Sequence, residues 1–167
     1  GEAAESPGAE ESAAVGEKWC SGVNIAAFPG GGQGTPFTNN VYNGYRAAEE
    51  DLGPEVTYYF SDWNVETMVA QFREALALDP DGMSVMGHPG DAAMDPLIDE
   101  AYEADTQVTV VNVELPEALS AHAAEGLGYV GAPNYAAGKR LAEEAVERSG
   151  AQAGEKAFVW GLLAEAG

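Results

Sequence analysis

From Val23 onward, short apolar runs alternate with segments whose apolar residues recur at helical spacing. The runs are VNIAAF (23–28), EVTYYF (55–60), GMSVM (82–86), QVTVVNV (107–113) and KAFVW (156–160), with GYVG (128–131) as a further short one. The near-continuous apolarity of several predicts parallel strands covered on both faces. Between them, Val41, Tyr45, Ala48 and Leu52 share one helical face that Gly53-Pro54 ends. Val65, Met68, Phe72 and Leu76 form the next helix, with Asn64 as N-cap and Asp79-Pro80 as stop. Asp95-Pro96 reads as a cap and first helical residue before Leu97, Ile98, Ala101 and Tyr102. Asn134 caps a helix carrying Ala137, Leu141 and Ala145, closed by Gly150.

Strand and helix in this cadence predict right-handed βαβ units. The expected fold is therefore α/β: a doubly wound parallel sheet in three αβα layers. Ligands of such sheets bind beyond the carboxyl ends of the strands. The residues that follow each strand are thus the candidates for function.

Composition narrows the ligand and the partners. The 167 residues suit one domain, and 7 Lys+Arg against 28 Asp+Glu give a formal charge of −21. Such a chain repels nucleic acid and anionic lipid, so neither is expected as a partner. A single cysteine, Cys20, excludes an internal disulfide. No apolar run reaches the length of a membrane span, and no signal peptide is recognisable. Residues 1–19 hold few large hydrophobes and are expected to be a disordered acidic tether.

The first strand runs into PGGGQGTPFT (29–38). Starting from Gly30 and Gly32, a dinucleotide fingerprint would need glycine where Thr35 stands, and no lysine follows for a phosphate loop. The remaining readings are a plain flexible loop, or backbone kept thin so that a ligand can approach, with Phe37 as an apolar wall. After the second strand come Asp62 and Trp63, a carboxylate beside an indole. They suit the hydroxyl rim and C–H face of a sugar, or else a helix cap and core packing. His88 stands before Pro89 in an extended turn, as a hydrogen-bonding rim residue or a turn residue. The only other histidine, His122, lies far along the chain, so no metal site is expected. Asn112 offers both donor and acceptor, and Glu114 an acceptor or a loop position. No nucleophile and base accompany the carboxylates, so no catalytic residues and no cofactor are assigned. None of the seven basic residues directly follows a strand, which favours a neutral ligand.

These segments resemble a known family. GTPFTNNVYNGYRAAEEDLG (34–53), SDWNVETMVAQFREALALDPDGMSVM (61–86), DAAMDPLIDEAYEADTQVTVVNVE (91–114) and YVGAPNYAAGKRLAEEAVERSG (129–150) are similar to the type I, ribose-binding-like substrate-binding proteins of ABC sugar transporters. The resemblance spans residues 22–161 and implies one lobe of a periplasmic-binding-protein fold, here the N-terminal lobe over residues 20–161. It also implies a crossing toward a second lobe beginning at 162–167, an ABC permease as partner, and a place outside the cytoplasm. A lipid anchor upstream of Gly1 would fit such a lipoprotein.

Carried over by position, the resemblance implies ligand contacts at Thr35, Phe37 and Asn112, with Asp62, Trp63 and His88 on the same rim; Glu114 joins the candidates only by its place after the fourth strand. Thr35 stands where the family has asparagine, and Thr38 where it has a second phenylalanine. Asn112-Val113 replaces the Asp-Arg pair of ribose-like members, so a ligand other than ribose is expected. The leading expectation is capture of a neutral sugar or polyol without chemistry. The alternatives are a ligand-sensing domain of the same fold and a Rossmann-like enzyme fragment.

Overall fold

The computed structural model describes residues 18–159. Five strands form one all-parallel sheet: β1 (Asn24–Phe28), β2 (Glu55–Tyr58), β3 (Gly82–Met86), β4 (Gln107–Val111) and β5 (Gly128–Val130). Their spatial order is β2-β1-β3-β4-β5. Helices α1 (Pro36–Leu52), α2 (Val65–Leu76), α3 (Asp91–Glu103), α4 (Pro116–Ala121) and α5 (Asn134–Ser149) follow the strands in turn. The α/β doubly wound architecture is as the apolar pattern predicted.

Register explains which side chains make the core. Ala26 pairs with Met83 and Met83 with Val108; Phe28 pairs with Val85 and Val85 with Val110. All six are buried in one cluster with Met68, Phe72 and Ala75 of α2 and Leu97, Ile98 and Ala101 of α3. Alternate residues face the other way, as a pleated strand requires. There Ser84 of β3 lies 2.8 Å from the Tyr45 hydroxyl of α1, and Tyr42 packs edge-on against Tyr58 of β2. The sheet therefore has α2, α3 and α4 on one face and α1 on the other.

Helix ends follow local chemistry in most places. Gly53 and Gly150 close α1 and α5 in the left-handed region, and Asn64 Oδ1 accepts the Thr67 N–H at 2.7 Å. Three expectations are corrected. Helix α3 starts at Asp91, four residues before the expected cap, and carries Pro96 inside it. Packing of Met94, Leu97 and Ile98 outweighs the amide lost at Pro96. Asn134 is the first helical residue of α5 and Pro133 the cap; the Asn134 side chain instead donates to the Asn112 carbonyl. The expected strand at 156–160 is not formed over residues 156–159, where Phe158 and Val159 lie open to solvent; Trp160 lies outside the described residues. Apolarity alone does not make a strand without a neighbour to pair with.

The short helix α4 was not expected from the pattern. It is held by α3: Asp91 Oδ1 accepts the Glu117 and Ala118 N–H groups, both at 3.0 Å. Helix α5 forms where expected, but Ala137, Leu141 and Ala145 are not buried, and Leu141 is 72% exposed. Of the expected tether, residues 1–17 lie outside the described residues. Lys18 packs against Gly53, and its Nζ donates to the Glu50 carbonyl near the C-terminus of α1. The expected crossing at 162–167 also lies outside the described residues. Among the described residues no helix is long and apolar enough to cross a membrane.

Candidate functional site

The strand order places a switch point at β1 and β3: the chain leaves β1 toward β2 and returns on the other side to β3. A crevice at the carboxyl ends follows from that reversal. Gly30 and Gly31 follow β1, Asp62 and Trp63 follow β2, His88 follows β3, and Asn112 follows β4. All seven candidate residues thus stand at or just beyond the same end of the sheet.

Three of them touch. The Trp63 ring lies 5.4 Å from that of Phe37, tilted by 48°, and 5.3 Å from the His88 ring at 85°. Phe37 and Trp63 are each 42% exposed, so the ring cluster presents apolar surface to solvent. His88 is half-buried, and its two ring nitrogens are buried with no hydrogen-bond partner among the described residues. Burial alone lowers its pKa to about 4, because a charged imidazolium would lose hydration and gain no counter-ion. At neutral pH the ring is therefore uncharged, with one donor and one acceptor unused.

Backbone strain marks the same loops. Asp62 (φ 51), Trp63 (φ 63) and Asn112 (φ 62) are non-glycine residues in the left-handed region. For a residue as bulky as tryptophan this is a genuine outlier, and such outliers concentrate at functional loops. The conformation of Trp63 is held from below. Its N–H donates to the Gly30 carbonyl at 2.9 Å, and the buried Ser61 hydroxyl donates to that same oxygen at 2.5 Å.

The glycines lie close to side chains of the neighbouring loop. Side chains of this protein already approach their thin backbone. A methyl at Gly30 would meet Trp63 Cζ3 at 2.9 Å, and one at Gly31 would meet Trp63 Cε2 and Nε1 at 2.9 Å. At Gly32 it would meet Asp62 Oδ1 at 2.5 Å. Thr35 also turns inward: its Oγ1 is 3.1 Å from the Gly32 carbonyl and 2.9 Å from Thr38 Oγ1, so its hydroxyl is engaged within the loop.

Asn112 belongs to an adjoining groove. With Val41, Gly44, Tyr45, Met86, Val111, Val130 and Gly131 it lines a cavity of about 300 Å3. Its carbonyl is occupied by Tyr129 Oη at 2.9 Å and Asn134 Nδ2 at 3.2 Å. Met86 connects the two regions, since it also lies against Gly30. Glu114 is exposed and makes no side-chain hydrogen bond among the described residues. Sequence reasoning missed Ser61, Met86 and the Gly30–Gly32 floor. The signal available was three successive glycines after one strand and the adjacent Asp62 and Trp63 after its neighbour.

The remaining polar groups lie elsewhere. His122 is buried against Tyr102 on the α3 side, 3.5 Å from Asp99 Oδ1 and 3.7 Å from Asp95 Oδ1. Among the described residues no group of three His, Cys, Asp or Glu side chains is arranged to hold a metal ion. Lys18 reaches a carbonyl; Arg46, Arg73, Lys139, Arg140 and Arg148 pair with Glu49, Glu100, Glu143 and, for the last two, Glu144. None of these cations borders the ring cluster.

Comparison with known families gives one match: residues 26–163 fit the periplasmic binding protein domain. The chain belongs to that family. The sheet is thus that of one lobe of the periplasmic-binding-protein fold. Several solved structures share the fold. The glucose-galactose binding protein GanP of Geobacillus stearothermophilus is 21% identical, with 77% of this chain covering 43% of that one at a TM-score of 0.65. An ABC transporter solute-binding protein of Burkholderia graminis, solved with D-arabinose, is 16% identical (78% and 43% covered, TM-score 0.66). One from Agrobacterium vitis with bound allitol is 23% identical (77% and 41% covered, TM-score 0.61). The chain therefore spans less than half the length of these structures. No curated protein matches it.

Proposed function

We propose that this periplasmic-binding-protein lobe captures an uncharged sugar or polyol at the rim formed by Phe37, Trp63 and His88, outside the cytoplasm, for delivery to an ABC permease. The observation that carries the reading is the ring cluster with a neutral histidine that, among the described residues, has no hydrogen-bond partner and no cation beside it. A sugar ring offers C–H faces to an indole or phenyl ring, and the uncharged His88 imidazole packed against that indole adds no charge to the surface. Asp62 supplies further acceptors, and the amide of Asn112 and the carboxylate of Glu114 stand on the flanking loop. A phosphorylated or carboxylated ligand would lack a counter-charge there. Structural neighbours solved with D-arabinose and with allitol support this ligand class.

The reading assigns no bond-making step to the lobe. Closure around the ligand is the work of a second lobe of like topology, as the greater length of the solved structures supports. Thr35 acts from within the loop, and an upstream lipid anchor would keep the protein at the membrane face. Calorimetry and thermal shift with D-glucose, D-galactose, D-arabinose and allitol, against ribose 5-phosphate and ATP, test the proposal. A shift with a neutral compound alone supports it. Binding of the phosphorylated compounds alone refutes it.

A further inference from the structure

Resting on the sugar-capture reading, we infer that Gly30, Gly31 and Gly32 are positioning residues: they form the floor on which Trp63 and Asp62 are set for recognition, without touching the ligand. Met86 and Trp63 lie against Gly30, Thr38 and Trp63 against Gly31, and Asp62 alone against Gly32. The six-membered part of the indole lies over Gly30, its pyrrole edge over Gly31, and the Asp62 carboxylate over Gly32. The long direction of the indole thus follows the Gly30–Gly31 backbone.

The fit is enforced from both sides. Gly30 has φ +87 and is closed by Met86 and Trp63, so no side chain can replace its hydrogen. A methyl at Gly31 is compatible with the local backbone, yet it would collide with the Thr38 hydroxyl and with the indole. Phe37 and His88 flank Trp63 and its N–H is tied to Gly30, so the indole cannot shift without changing those contacts. Added bulk must therefore be relieved by moving the indole and, with it, the strained loop at residues 62–63. At Gly32 the relief is easier, since only the free end of Asp62 is met. A recognition group is useful only while held within about 0.5 Å of its productive place. The glycines are consequently determinants of ligand specificity from behind.

The test uses the full chain with Trp63 as its only tryptophan (Trp19→Phe, Trp160→Phe) and with Thr38→Ala, which removes the competing hydroxyl. In that background Gly31→Ala should red-shift Trp63 emission and speed its quenching by acrylamide. Gly32→Ala should leave both unchanged. If Gly31→Ala does not fold by far-UV circular dichroism, adding Trp63→Ala should restore folding. For whichever of D-glucose, D-galactose, D-arabinose or allitol the parent binds, Gly31→Ala should weaken binding by about tenfold or more. In a Trp63→Ala background the same substitution should change affinity little. Unchanged emission and quenching, an equal loss without Trp63, or no rescue of folding would overturn the inference. If the parent binds none of the four, sugar capture fails, while emission or rescue still decides the role of the floor.

Discussion

His88 makes the strongest single test of the site. Its ring nitrogens are buried without partners among the described residues, and burial holds its pKa at about 4 against an ordinary 6.5. That gap corresponds to about 3 kcal/mol at about 1.4 kcal/mol per pKa unit. Water reaches part of the ring, and screening reduces the expected contribution to about 1–2 kcal/mol. The sign follows from proton binding. Between about pH 6.5 and 4 the unfolded chain holds a proton on this imidazole and the folded chain does not. Stability must therefore fall as the pH falls through that window. Urea unfolding of the parent and of His88→Gln, followed by circular dichroism near pH 7.5 and pH 5.0, isolates the effect from the many carboxylates common to both. The parent should lose about 1 kcal/mol more than the variant on acidification, about half to two-thirds of the full effect. A parent that instead gains on the variant at low pH would show that His88 has an acidic partner, and the uncharged rim would be refuted. A flat difference would show that the ring is solvated.

Other outcomes follow from single contacts. Trp63→Ala should weaken capture of the bound sugar or polyol by about tenfold or more, measured by calorimetry, because the largest apolar face of the rim is lost. Pro96→Ala should stabilise the lobe by about 1–3 kcal/mol in urea unfolding, since Pro96 is exposed within α3 and its replacement returns an amide donor to the Ala92 carbonyl. Asn64→Ala should cost about 1 kcal/mol by the same assay, through loss of the bond from Thr67 N–H to Asn64 Oδ1.

The pattern of apolar positions determined the five parallel strands, the order of the long helices and the end of the sheet on which candidates should be sought. Periodicity and caps are local properties: Gly53, Asn64 and Gly150 act through their own backbone or the next turn. Where the pattern misled, tertiary contacts had outweighed local preference. Pro96 is carried inside α3 by buried neighbours, and α4 exists because Asp91, 26 and 27 residues before Glu117 and Ala118, accepts their N–H groups through space. The site shows the same division. Aromatic and polar residues after the strands were legible one by one. That Phe37, Trp63 and His88 meet, while Asn112 lines a neighbouring groove and Thr35 is turned into its own loop, depends on strand order and on loop conformations with positive φ. The glycine triplet is the plainest case. Sequence left a flexible loop and a close ligand approach both open, and only the packing of one loop on another showed an indole and a carboxylate of the same chain against that backbone.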